Sequence, residues 1–567
     1  MKTIIKTVCC ILIVNLSALA ANYTVKSNGS GDYTTIQACA TAMSPGDTCT
    51  VFAGTYTENV TVPAGSVGNY KILTVNGSDI VSVVGSVTLS SHNELIGNCP
   101  TFQGTLTTAT CGFFISNPSS PGASACISMG TNTDIYIVHN SISQCGSYLA
   151  GPGTCGLGAI TMSDGASYIY IQGNSISYPS GPVGGPVGIG ILLGLGQNNS
   201  SSPNHILVEN NDISHYALGV KYGTQKAMIR NNSFHDQYET EGCENQHTDM
   251  TFSEQTYNVA HNVIEGNTQR NAVGPNAKGN LAQGDTPCTG CTNLIIRYNV
   301  VSGIDGSGSS NYGIWPHLVQ YNNTKVDLKR GSSAPDDTDL NDVTLTSTAI
   351  LNTIYYYTIN SAWSNWNSGS CGLSCNAGHN LWYGTGTGFA GTANPYNHIY
   401  GGSGGTWTVD PGNLKADPKF VNYVSPANTS NDYHLQASSP AIAAGTYLAT
   451  VASGDSGSGT SLVVNDASYF QDGYGLSNAN STVSGDCIAV ATATNHVCIT
   501  AVNYSTNTLT LASSISRSSG QGVYLYSKSD GVQVLTGSAP DMGAYPYGSG
   551  GGGSPPMPPT GLAAVVN

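Results

Sequence analysis

The residues best suited to chemistry sit in one stretch, FHDQYETEGCENQHTDMTFSE, residues 234 to 254. It holds six carboxylates, Asp236, Glu239, Glu241, Glu244, Asp249 and Glu254. No Lys or Arg occurs between Asn231 and Gln269, so this negative charge has no local counterpart. His247 and Asp249 are two apart, and in a strand they project from one face. Thr248, Met250 and Phe252 then take the opposite, inward face. That register predicts His247 and Asp249 on an outer wall.

Three chemistries fit such residues. Paired carboxylates such as Glu244 and Asp249 can act as acid and base in glycoside hydrolysis. Asp236, Glu239, Glu241 and Asp249 can supply oxygens to Ca²⁺. A bound Ca²⁺ can neutralise a uronate while His247 or Lys278 abstracts a proton, which is lyase logic. Arg270 and Lys278 follow in QRNAVGPNAKGN and bring cations to the next unit of chain. The candidate catalytic set is therefore His247, Asp249, Glu244, Lys278 and Arg270. A solvated acidic loop, balanced by cations on its neighbour, has the same composition.

Aromatic residues suggest where a sugar would rest. Tyr outnumbers Phe and Trp, 32 against 9 and 5. Tyr238 lies inside the acidic stretch. Trp363 and Trp366, with Tyr355 to Tyr357, can form a stacking platform. Aromatics at strand spacing also serve as packing. A second acidic loop, PDDTDLND, carries Asp336, Asp337, Asp339 and Asp342 but lacks the Gly and terminal Glu of a helix-loop-helix calcium loop.

A recurring phrase positions these residues: apolar-x-apolar-x-x-Asn-x-apolar. It appears as IYIVHNSIS at Asn140, IYIQGNSIS at Asn174, ILVENNDIS at Asn211 and AMIRNNSFH at Asn232. It returns as YNVAHNVIE at Asn262 and LIIRYNVVS at Asn299, with echoes at Asn352 and Asn380. The spacings are 34, 37, 21, 30, 37, 53 and 28 residues. Repeats at this scale mean stacked units, and the shortest is about one bare coil of a parallel β-helix. Each phrase reads as strand, bend, strand. Ile135, Ile137, Ile169 and Ile171 point inward together, and the Asn amides stack at one corner.

Composition agrees. Gly contributes 70 residues and charged residues only 9%, which suits turn-rich β structure. The formal net charge of −15 excludes a nucleic-acid binder, which needs basic patches. Residues 1–20 read as a secretory signal: Lys2 and Lys6, an apolar run, then Ala18-Leu19-Ala20. No segment is long and apolar enough to span a membrane. The 14 cysteines after the signal favour disulfides. Close pairs are Cys39–Cys49, Cys99–Cys111, Cys145–Cys155, Cys371–Cys375 and Cys487–Cys498. Cys288 and Cys291 have a metal-like spacing without a second ligand pair.

The opening GDYTTIQACATAMSPGDTCTVFAGTYTENVTVP resembles the first coil of pectin-lyase-like right-handed β-helix proteins. The resemblance implies a capping helix over Thr35 to Ala42 and a solenoid over residues 22–445. It carries no activity: neither pectinesterase Gln and Asp motifs, polygalacturonase-like paired Asp residues, nor a pectate-lyase-like Arg-Pro-Arg pattern is present. ADPKFVNYVSPANTSNDYHLQASSPAIAAG and PDMGAYPY resemble a closing coil, the second over 531–547. Short alternating strands between them, 447–530, read as a small β-barrel-like insertion. Residues 548–567 read as a Gly/Pro linker, and PPTGLAAVVN resembles the first strand of a fibronectin type III domain.

The fold expected is all-β, a right-handed parallel β-helix with an N-terminal cap and an inserted small β-domain. Two function classes follow. One is a secreted enzyme acting on an acidic polysaccharide by lyase or hydrolase chemistry, with Ca²⁺ the one cofactor considered. The other is a non-catalytic extracellular surface, matrix or adhesin-like protein that binds polysaccharide. Nothing in the residues fixes an oligomeric state.

Overall fold

An Asn ladder sets the phase of every coil in the computed structural model. The backbone N–H of Asn140 donates to Oδ1 of Asn174, and the pattern continues through Asn211, Asn232, Asn267, Asn299 and Asn323 at 2.9–3.0 Å. Thr353 takes the next place through its hydroxyl, then Asn380 and Asn413. Each side-chain amide also donates to the backbone of the coil before it, as Asn232 does to the Val208 carbonyl. Polar groups at a buried bend thus find partners.

The ladder departs from the sequence phrase twice. Asn262 is not a rung. It points into the core in register with Leu294 and pairs with Thr224 and the Ala227 N–H. Its place belongs to Asn267. Asn352 sits one residue early, and Thr353 is the rung. The residue before each rung from Asn140 to Asn380 is left-handed: His139, Gly173, Asn210, Asn231, Gly266, Tyr298, Asn322, Asn352 and His379 all have φ between 50° and 67°. Asn tolerates that conformation better than most residues, which explains the Asn-Asn doublets.

The structure describes residues 20–100, 111–118, 125–146, 157–178, 188–194, 201–238, 248–254, 259–273, 277–283, 292–305, 307–312, 317–328, 345–356, 371–384, 407–409, 412–424 and 428–548. Three parallel sheets of 14, 13 and 9 strands run up the molecule. Each complete coil gives one strand to the first sheet, bends at the ladder, gives one to the second, then one to the third. The result is a right-handed parallel β-helix. Ile135, Ile137, Ile169 and Ile171 are fully buried inside it, as the alternation requires.

The N-terminal end is capped by a helix, Ile36–Ala42. Thr35 accepts from the Ala38 N–H, and Glu58 accepts from the N–H groups of Ile36 and Gln37. Ile36, Cys39 and Ala40 face the open cross-section, which would otherwise expose apolar side chains and strand edges. The Cys39–Cys49 disulfide fastens the cap. Cys99–Cys111 and Cys487–Cys498 also form as spacing suggests. Cys145 does not pair with Cys155; it pairs with Cys126, just before the strand Ile127–Ser128 of the preceding coil. Proximity in space across coils overrides proximity in sequence here. Cys371 and Cys375 fall on a strand whose side chains lie outside the described residues, as do Cys155, Cys288 and Cys291.

A six-stranded antiparallel sheet spans Ala449–Ser527. Its edges meet: Ala452 N–H bonds the Val463 carbonyl, and Asn465 N–H bonds the Thr450 carbonyl. The sheet therefore closes into a small barrel. One face packs on the outer wall of the first sheet against Tyr170, Leu207, Met228, Val263, Ile295, Val319 and Ala349. Beside this apolar seam runs a buried ionic one. Arg297 meets Glu265 and Asp486 at 2.5–2.7 Å, and Arg230 meets Glu209 and Ser529.

The segments resembling a closing coil do not stack as another rung. Phe420–Asn422 and Asp432–Leu435 form an antiparallel ribbon. With Ala441, Met542 and Ala544 it packs against Val300, Val326, Ile354, Tyr356 and Leu381 of the second sheet. On the coils just before, the same outward positions are polar, as at Asp212, Ser233 and Thr268, so it is the apolar run at this end that the ribbon covers.

Candidate functional site

The second sheet places a charged cluster where its strands end. Counting three residues past each rung gives Ser143, Ser177, Ser214, His235, Arg270 and Ser302, in register on successive coils. Four past most rungs, the chain is again left-handed, at Gln144, His215, Asp236, Asn271, Gly303 and Asp327; Tyr178, four past Asn174, is the exception. The bend turns these side chains out together.

His235 is the centre of the cluster. Its Nδ1 lies 2.7 Å from Asp236 Oδ2, and its Nε2 lies 3.1 Å from Asp212 Oδ1. A ring with a carboxylate on each nitrogen holds both protons. Burial opposes the charge, but hydrogen bonds and attraction from Asp212 and Asp236 outweigh it and lift the pKa to about 8. Asp236 falls to about 2, through its hydrogen bond to His235 against an opposing burial effect, with Asn271 adding to it. Asn271 donates to Asp236 Oδ1, and Arg270 Nη1 lies 3.9 Å from Oδ2. His235 and Asp212 are about 95% buried, whereas the Asp236 and Arg270 side chains are 28% and 21% exposed.

A second histidine lies above. The His215 ring is 6.5 Å from that of His235 and 6.0 Å from that of Tyr238. Its Nδ1 is 3.5 Å from the Ser177 hydroxyl. Burial is the main influence on His215 and pushes its pKa down, so it is neutral at pH 7. Burial pushes the Tyr238 phenol up, so it keeps its proton. One coil region thus holds a neutral base, a charged imidazolium, a guanidinium, a fixed carboxylate and a phenol.

Asp236, Tyr238 and Arg270 of the sequence-derived set meet here. His235, His215 and Asp212 were missed. Their signal was present: HD in FHDQY falls three past a rung, as does the Ser before His215. Asp249 stands elsewhere, on the third sheet, as register partner of Lys278. It is fully buried, not on an exposed wall. It shares a column with Ile189 and Leu218, themselves buried in a cluster with Leu192 and Phe252. Phe252 therefore lies outside the central core that Met250 joins. Gln237 ties the two sheets, donating to the Asp249 carbonyl at 2.9 Å. Glu239, Glu241, Glu244 and His247 lie outside the described residues, as do Trp363 and Trp366 and the loop from Asp336 to Asp342.

Of the expected Ca²⁺ set, Asp236 faces donors from His235, Asn271 and Arg270, and Glu239 and Glu241 lie outside the described residues. Among the described residues no group of three or more His, Cys, Asp or Glu is placed to hold a metal ion. Tyr355 is no sugar platform: it is fully buried, stacked on Trp382 at 5.5 Å.

In its three-sheet parallel solenoid the chain resembles pectin-lyase-like β-helix proteins. Pectate lyase Pel9A aligns over 78% of this chain and 94% of its own, at 15% identity and a TM-score of 0.34. XylC, solved with xylose, aligns over 90% and 99%, at 12% identity and 0.38. PfbA, a surface adhesin of Streptococcus pneumoniae, aligns over 57% and 88%, at 12% identity and 0.26. These likenesses are of architecture alone. No protein-family model and no curated protein matches the chain.

Proposed function

We propose that this is an exported carbohydrate-active β-helix protein that cleaves an acidic polysaccharide by β-elimination at the His215–His235–Arg270 cluster. The observation that carries the reading is the pairing of a neutral histidine with a cationic one, beside Arg270 and Tyr238, on successive coils. Elimination next to a uronate needs three things. Cations must draw charge onto the carboxylate, a base must take the adjacent ring proton, and an acid must protonate the leaving oxygen. Arg270, whose side chain is partly exposed, supplies the first. His215, kept neutral by burial, supplies the second. Tyr238, which holds its proton, supplies the third. The C–H electrons form the new ring double bond as the glycosidic C–O bond breaks.

Export is supported by four disulfides, which persist in oxidising compartments, and by the signal-like residues 1–20.

The test is a panel of uronate polymers read at ultraviolet wavelengths for unsaturated products and by reducing-end assay. His215→Ala should lower kcat by a factor of about 10²–10⁴ with little change in melting temperature. Arg270→Ala should mainly raise KM. Reducing ends without ultraviolet absorbance would replace elimination with hydrolysis.

A second reading, binding without turnover, draws on one observation. Both His235 nitrogens are committed to carboxylates, so the buried centre of the site is fixed. Retarded migration in polysaccharide-containing gels, with no product, would favour it.

A further inference from the structure

The left-handed row beside the cluster continues in both directions. Above His215 it carries Tyr178, which follows Ser177 without the left-handed φ, and then the left-handed Gln144; below Asp236 it carries Asn271 and then Gly303. All are partly exposed, whereas the serines one residue earlier are mostly buried. The row therefore forms the accessible rim of the second sheet. Its members repeat once per coil, about 4.8 Å apart, the spacing of neighbouring strands. That is close to the rise of one pyranose residue along an extended chain. The row ends at Asp327, whose Oδ2 accepts from the Tyr423 hydroxyl at 2.7 Å. Tyr423 belongs to the segment that covers the lower coils. Gly303, just before this pair, is the one member without a side chain.

We infer that this row is the substrate track of the proposed cleavage, with an acidic polysaccharide lying parallel to the solenoid axis, one sugar per coil. Tyr178 and Gln144 form subsites above His215, and the Asp327–Tyr423 pair stops the track below Gly303. The occupant follows from the side chains. Tyr178 offers an aromatic edge over Tyr216, at 6.0 Å between ring centroids. Gln144 and Asn271 offer amides to hydroxyls. The Arg270 cation lies in the middle, where a carboxylate would sit. Below Asn271 there is room for one more sugar before the wall. The track is thus longer above the cleavage point than below it.

This inference rests on the cleavage reading, and one experiment separates them. Purified oligouronates of three to seven sugars would be titrated calorimetrically into the full chain and into Tyr178→Ala and Gln144→Gly. Glycine suits the left-handed backbone of Gln144, so the second variant keeps its fold. For the wild-type protein, affinity should rise with length and level off once the track is full. Each variant should lose about fivefold affinity for the longest oligomer, the scale of one aromatic or amide contact, and less for the shortest. Equal loss at all lengths, or none, with wild-type binding intact, would overturn the track and leave the cleavage reading standing. Absence of any binding by the wild-type protein would overturn both.

Discussion

At the scale of single residues, the ladder and the His235 clamp make separate demands. Asn232 bonds the coil before it and the coil after it. Asn232→Ala leaves buried backbone groups unpaired, so it should cost roughly 1–3 kcal/mol in chemical denaturation. The clamp should appear in the pH dependence of stability. His235 keeps its proton to about pH 8 when folded, whereas an unfolded histidine releases it near 6.5. Its contribution is complete below about pH 6.5 and is lost as pH rises through 8. Asp236 titrates near 2 when folded and near 3.9 when unfolded, so its contribution is present above about pH 4 and is lost as pH falls toward 2. Melting temperatures of the wild-type protein and His235→Gln, compared from pH 4 to 9, should converge on the alkaline side. Parallel curves would count against the clamp.

At the scale of elements, the coils read most clearly from sequence were those with apolar residues at every inward position. Ile142, Ile176, Ile213 and Phe234 fill the inner column of the second sheet. The two coils that were misread break that column. Gln269 takes the place after Phe234 and donates to Gln237, and Lys325 takes a later one, its Nζ 5.2 Å over the Tyr355 ring. With a polar residue pointing inward, the apolar phrase disappears although the rung remains, so Asn267 and Asn323 went unseen. The site was half legible for a related reason. Acid-rich sequence drew the eye to a loop, while the chemistry that assembled came from His215, His235 and Arg270, scattered over 56 positions and brought together only by register. The barrel seam makes its own prediction. Asp486→Ala would leave Arg297 buried with Glu265 alone and should destabilise by roughly 3–5 kcal/mol in a denaturant melt. Replacing all three charges with leucine or methionine should recover most of that loss.

At the scale of the whole molecule, three of the described disulfides fasten the end of the solenoid that the barrel leaves uncovered. Among the described residues, Cys39–Cys49, Cys99–Cys111 and Cys126–Cys145 all lie ahead of the coils that the barrel covers. Thiol titration of the denatured, unreduced protein should find eight of the 14 cysteines beyond Ala20 protected, leaving at most six to react. More than six reactive thiols would contradict the oxidising compartment that export implies.

The barrel also changes how the solenoid can come apart. A bare stack of coils is held by nearest-neighbour contacts, so it can open anywhere and unzip in steps. Here one rigid body lies across seven consecutive coils, from Tyr170 to Ala349, like a splint along a spine. None of those coils can swing away without stripping the barrel from the other six. Under tension or in denaturant the splinted length should fail as a unit, and the first coils, up to Tyr136, should loosen before it. Native-state hydrogen exchange would register this as a step in protection between the strands Thr133–Val138 and Ser167–Gln172.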